Sequence, residues 1–179
     1  RSWGMSISQP LKLAAILNVP GATPPARDLL ASFCDRLAAK GVKVMGLLQE
    51  TRREEGRKTA MELVEIGGQR RYPIKQNLGE SAGCQVDTQG VAEATEVLRH
   101  ALSEKPDLVV INKFSHLESE GQGLAAEMLA LMAEGIPVLT TVAPEYVEAW
   151  ERFTGGLARV IAPDEGALRA WWRGPSPPP

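Results

Sequence analysis

Apolar positions along this chain alternate between two periods, and each switch marks a change of element. Residues 11–18, Leu-Lys-Leu-Ala-Ala-Ile-Leu-Asn, form a nearly continuous apolar run closed by turn formers. That is the pattern of a central parallel strand covered on both faces. Pro24 or Pro25 can start a helix, and Leu29, Leu30, Phe33, Leu37 and Ala38 recur on one face of it until Gly41 ends it. Residues 42–49 supply a second apolar strand, which a right-handed crossover lays beside or near the first. Downstream the alternation returns. Val91, Ala94, Leu98, Ala101 and Leu102 share a helical stripe over 88–103, ahead of a strand at 108–112. Leu124, Met128, Leu131 and Met132 mark a helix ending at Gly135, ahead of a strand at 136–142. A short helix at 146–153, a short strand at 159–162 and a helix that Asp164 can cap, running to Trp172, close the series.

Between the halves the pattern changes. Residues 61–66 and 71–75 flank Gly67-Gly68 and read as an antiparallel hairpin, and 76–87, with Gly79 and Gly83, have no periodicity and read as an irregular loop. The whole predicts an α/β fold: an open, mostly parallel sheet with helices on both faces and an antiparallel hairpin at the sheet margin.

Composition narrows the class. With 179 residues, 44% hydrophobic and 23% charged, the chain fits one domain over residues 5–173, and a chain of this size buries ~70% of its unfolded surface without staples. Twenty Lys and Arg against 22 Asp and Glu leave a net charge of -2, so neither nucleic acid nor an anionic membrane is drawn by global charge. No apolar run reaches the ~18 residues of a membrane span, and the expected localisation is cytoplasmic. Two cysteines and two histidines, none at metal-ligand spacing, argue against a metal site. Arg1 to Gly4 read as a scar ahead of a native start at Met5, and 174–179, GPSPPP, as a disordered tail.

In open α/β sheets a ligand sits beyond the carboxyl ends of the strands, which here are Asn18, Gln49, Asn112 and Thr140 or Thr141. The loop after the first strand aligns with a phosphate-binding loop: Gly21, four residues, then Ala26-Arg27-Asp28 where that motif has Gly-Lys-Ser/Thr. Pro24 and Pro25 lack the N–H that such a loop aims at phosphate, and Asp28 repels it. Asn112-Lys113 follow the strand at the place where phosphoryl-transfer enzymes carry acidic residues for magnesium and water. A lysine there favours an anion or a carboxylate partner, and the obvious general base is missing.

Three segments, NKFSHLESEGQG (112–123), QNLGESAGCQVD (76–87) and IPVLTTV (136–142), resemble a bacterial family of unknown function over residues 11–156. That family is in turn similar to the small nucleoside-triphosphatases related to a thermostable archaeal enzyme. The resemblance implies a P-loop-NTPase-like fold with a degenerate phosphate loop and an association with molybdate transport genes. Those enzymes carry an Asp-Glu pair where Asn112 and Lys113 stand and share the later Glu118, so their activity does not transfer.

The candidate ligand-binding set is Lys113, Asn112, Gln49, Arg27, Gly79, Gly83, Cys84 and Glu118, with no catalytic residue and no metal. Lys113 suits an anion or a structural ion pair equally. Cys84 is a reactive thiol if the helix near Thr88 lowers its pKa, and otherwise a small packed side chain. Glu118 either caps the following helix or serves as an acid–base group. Arg52, Arg53, Arg57 and Lys58 form a lid over an anion or a solvated loop. The reading that follows is a noncatalytic binder of a small oxyanion or phosphorylated ligand in molybdenum homeostasis, with molybdate or a nucleotide as the cofactor candidates. The alternatives are a nucleoside-triphosphatase with an atypical phosphate loop and a regulatory or scaffold module that docks a protein partner or a second copy.

Overall fold

The computed structural model of the protein describes residues 12–68, 70–77, 84–86 and 88–174. Strand β1 (Leu13–Leu17) leads through helix α1 (Ala26–Ala39) to β2 (Val44–Glu54), β3 (Arg57–Glu65), β4 (Arg71–Asn77) and β5 (Cys84–Val86). Helix α2 (Thr88–Glu104), strand β6 (Leu108–Phe114), and helices α3 (His116–Ser119) and α4 (Ala125–Ala133) follow. Strand β7 (Val138–Val142), α5 (Val147–Phe153), β8 (Arg159–Ile161) and α6 (Glu165–Arg173) complete the chain. Among the described residues, eight strands lie in one sheet, ordered β5-β4-β3-β2-β6-β7-β1-β8. Pairing is parallel from β2 to β8 and antiparallel from β2 to β5.

Two-sided burial explains why the central strands read as unbroken apolar runs. Along β1, Leu13 and Ala15 face one core with α2, α4 and α5, while Ala14 and Ile16 face the other with α1 and α6. Each buried leucine or isoleucine removed from water contributes about 1.5–3 kcal/mol, and both faces of β1, β6 and β7 are filled in this way. Helix α1 starts after Pro25, whose extended backbone needs no N–H there, and carries Asp28 in its first turn, where a negative charge suits the helix dipole. In β2, Gly46 has φ +132, and a Cβ at this position would stand 1.9 Å from the Val110 carbonyl oxygen. Only glycine lets β2 lie against β6 here.

The expected α/β sheet with helices on both faces and an antiparallel margin is present. Three details differ. Strand β2 lies not beside β1 but beyond β7 and β6. The basic stretch at 52–58 is not a loop: β2 runs on to Glu54 and pairs with β3 around a turn at Glu55 and Gly56, both at positive φ. Cross-strand pairing overrides the solvated look of its charges. Part of the expected loop at 76–87 is strand, since Asn77 pairs with Cys84 and Gln76 with Gln85. Gly79, Gly83, residues 1–4 and the tail at 175–179 lie outside the described residues. Among the described residues, no helix is long and apolar enough to cross a membrane.

Candidate functional site

The connection after β1 runs to α1 on one face, whereas β6 is followed by α3 and α4 on the other. Connections that diverge in this way leave a crevice at the carboxyl ends of the strands. A cavity of about 430 Å³ lies there, within the few hundred cubic ångströms usual for small-ligand sites. Its walls are Asn18 after β1, Pro25, Arg27 and Asp28 at the start of α1, Gln49, Glu50, Thr51 and Arg53 from β2, Asn112 and Lys113 from β6, and Thr141 from β7.

Asn112 is the structural centre of this wall. It is 4% exposed. Its Oδ1 accepts from the Gln49 backbone N–H at 3.0 Å and its Nδ2 donates to Thr141 Oγ1 at 2.7 Å. One amide thus ties β2 to β7 across β6, using an acceptor and a donor that a carboxylate could not both supply. The β6–β7 register shifts between Ile111 and Phe114, the interval that holds Asn112 and Lys113. Such irregularities re-aim side chains at the end of a strand. Lys113 reaches the cavity wall from this interval, half-buried.

Arg27 is held from several sides. Its Nε donates to the Gln49 carbonyl at 2.9 Å, Nη1 lies 3.5 Å from Asp28 Oδ1, and Nη2 lies 3.8 Å from Glu50 Oε2. Glu50 is shared, because its Oε1 lies 3.2 Å from Nη1 of Arg71 on β4. Arg27, Arg53 and Lys113 against Asp28 and Glu50 leave one positive charge in excess on the walls. The N-terminus of α1, with its partial positive charge, adds to it.

Four predicted residues, Arg27, Gln49, Asn112 and Lys113, therefore meet in one cavity. Glu118 does not join them. It is 6% exposed, and its Oε1 accepts from Ser115 N at 3.0 Å and Ser115 Oγ at 3.3 Å, while Oε2 accepts from Leu124 N at 3.1 Å. Gly123, at φ +60, leaves the room it needs, since a Cβ there would stand 2.1 Å from Oε2. The carboxylate joins α3 to α4 and is not among the residues that line the cavity. Cys84 belongs to β5, and both β3 and β4 lie between that strand and β2. Glu50 was not anticipated; it stands one residue beyond Gln49 at the strand end, which is the one signal the sequence offers for it.

Asn112 is engaged through both ends of its amide, and the two carboxylates on the cavity wall face Arg27. Among the described residues, no group of three or more His, Cys, Asp and Glu is placed to hold a metal ion.

A family described as "Protein of unknown function (DUF2478)" matches residues 13–171. The molybdenum import ATP-binding protein ModC 2 of Bradyrhizobium diazoefficiens is 36% identical over 166 residues, covering 92% of this chain. The chain spans only 18% of that relative's length. The solution structure of a human cancer-related nucleoside triphosphatase superposes with a TM-score of 0.61 at 20% identity, covering 90% of this chain and 94% of that one. At that identity the likeness carries the fold alone, which this chain shares with that nucleoside triphosphatase.

Proposed function

Given that the chain belongs to the DUF2478 family, we propose that it is a noncatalytic binding protein for a small oxyanion or phosphorylated ligand, with molybdate the first candidate. The observation that carries the reading is the cavity at the strand ends, which Arg27, Arg53 and Lys113 line beside the N-terminus of α1. Charged donors of this kind hold oxyanions through short, charge-assisted hydrogen bonds. Molybdate is named first because the relative from Bradyrhizobium is a molybdenum import protein. The role in that setting is ligand handling beside, not in place of, an ATP-binding unit.

Absence of turnover is part of the proposal. Phosphoryl transfer needs a group to orient water and charge to stabilise the leaving phosphate. Asn112 ties strands together, and Glu118 ties α3 to α4. A nucleoside-triphosphatase would need a group such as Glu118 to orient water, and its carboxylate is engaged with Ser115 and Leu124.

Calorimetric titration of the folded protein with molybdate, tungstate, sulfate, ATP and GTP tests the proposal. Saturable heat is expected with at least one of the tetrahedral oxyanions, and none with any ligand overturns it. Magnesium-dependent phosphate release from ATP or GTP above background would overturn the noncatalytic part.

A further inference from the structure

We propose that Glu50 sets how strongly the cavity discriminates against doubly charged anions, and that Arg71, outside the cavity, controls this by drawing on the Glu50 carboxylate. The inference rests on the anion-binding reading above and adds a specificity residue and its positioning partner.

The geometry is a chain of alternating charge that runs from the margin of the sheet into the cavity. Glu62 lies 3.8 Å from Arg71, Arg71 lies 3.2 Å from Glu50, Glu50 lies 3.8 Å from Arg27, and Arg27 lies 3.5 Å from Asp28. Glu50 turns one oxygen toward each arginine, Oε1 to Arg71 and Oε2 to Arg27. The contact with Arg71 is the shorter, and 3.8 Å to Arg27 is too long for a hydrogen bond. Arg71 therefore takes up much of the Glu50 charge and leaves the end of the Arg27 guanidinium to a ligand. Arg27 itself is anchored through Nε on the Gln49 carbonyl, so it stays at the cavity while its terminal nitrogens change partners.

An anion that reaches Arg27 meets Glu50 as a competitor and as a like charge. Pairwise electrostatic free energy is proportional to the charge of the ligand. Glu50 therefore disfavours a dianion more than a monoanion of the same shape. Removing its charge with Glu50→Gln is expected to tighten tungstate binding about fivefold and perrhenate binding about twofold, the scale of a half-exposed ion pair. Arg71→Met has the opposite effect, because Glu50 then turns its full charge on Arg27, and tungstate binding weakens about threefold. In the Glu50→Gln background the same change at Arg71 has nothing left to act through.

The test is calorimetry with tungstate and perrhenate, two tetrahedral ions of different charge, on the wild type, Glu50→Gln, Arg71→Met and the double variant, each checked for an unchanged unfolding transition. The expected result is a larger gain for tungstate than for perrhenate in Glu50→Gln, a loss in Arg71→Met, and a double variant equal to Glu50→Gln. Glu50→Asp, which keeps the charge but shortens its reach, should fall between the wild type and Glu50→Gln. Equal gains for the two ions, or no change, in proteins that bind them overturns the role of Glu50 while the anion-binding reading stands. An Arg71 effect that persists without the Glu50 carboxylate overturns the coupling. If neither ion binds any of the four proteins, the anion-binding reading fails and this inference fails with it.

Discussion

Glu118 is where a catalytic and a structural reading of this chain separate most sharply, and its replacement decides between them. The carboxylate is buried and accepts from two backbone N–H groups, Ser115 at 3.0 Å and Leu124 at 3.1 Å, and from the Ser115 hydroxyl at 3.3 Å. Hydrogen bonds to a charged acceptor are each worth about 1.5–3 kcal/mol net, and an orphaned buried donor costs about 1–3 kcal/mol. Leu124 is itself buried, so its N–H has no ready replacement from water. Glu118→Ala should therefore destabilise the fold by about 3–4 kcal/mol. Glu118→Gln keeps one acceptor oxygen and turns an NH₂ group toward one of the two backbone donors, at a cost of about 1–2 kcal/mol. Urea unfolding followed by tryptophan fluorescence measures both, with a lower midpoint and an unchanged slope expected. Tungstate affinity of folded Glu118→Gln should stay within about twofold of wild type, a change of under 1 kcal/mol. A variant as stable as wild type, or one that folds normally and loses the anion, would refute the assignment and return Glu118 to the cavity.

Other consequences are open to the same tools. Lys113→Ala should weaken oxyanion binding by about tenfold or more, since a charge-assisted bond contributes about 1.5–3 kcal/mol, and titration at two salt concentrations should show the wild type losing affinity as ionic strength rises. Gly46→Ala should prevent folding, because its Cβ would lie 1.9 Å from the Val110 carbonyl oxygen at a φ of +132; a soluble variant with native circular dichroism would contradict the β2–β6 packing. Burial pushes the Cys34 thiol from its ordinary 9.0 up to about 12, with neighbouring Asp35 adding to it. Mass-spectrometric mapping after treatment with a thiol reagent at pH 8 should find Cys34 unmodified in native protein and modified in urea. Because the folded protein keeps this thiol protonated while the unfolded chain ionises it, the contribution of Cys34 to stability is full below pH 9 and is lost between about 9 and 12.

Much of the scaffold was legible because its signals are local. The run at β1 is apolar on both faces, and two cores cover it. Helix α6 was placed by Asp164, whose Oδ2 accepts from Ala167 N at 3.0 Å. Strand order was not legible, since nothing in the β1–α1–β2 segment states that β6 and β7 come between. The end of β2 was hidden because Thr51 to Glu54 carry charge like a loop, and only the partner strand β3 makes them a ladder. In the site, the rule of strand ends finds Gln49, Asn112 and Lys113, and the alignment with a phosphate-binding loop finds Arg27. Glu118 enters the ligand set through the resemblance to enzymes that share it, while the backbone turns at Ser115 into α3 and carries the carboxylate toward Leu124. Glu50 escaped because its meaning comes from Arg71, 21 residues later and two strands away in the sheet.

Anomalous diffraction from crystals grown with tungstate near its solution dissociation constant tests the central claim most directly. The account predicts a tungsten peak in the cavity, within hydrogen-bond reach of Arg27 or Lys113 and absent from crystals of Lys113→Ala grown in the same way. Tungsten bound only at the outer surface, with the cavity empty of it, would contradict the account.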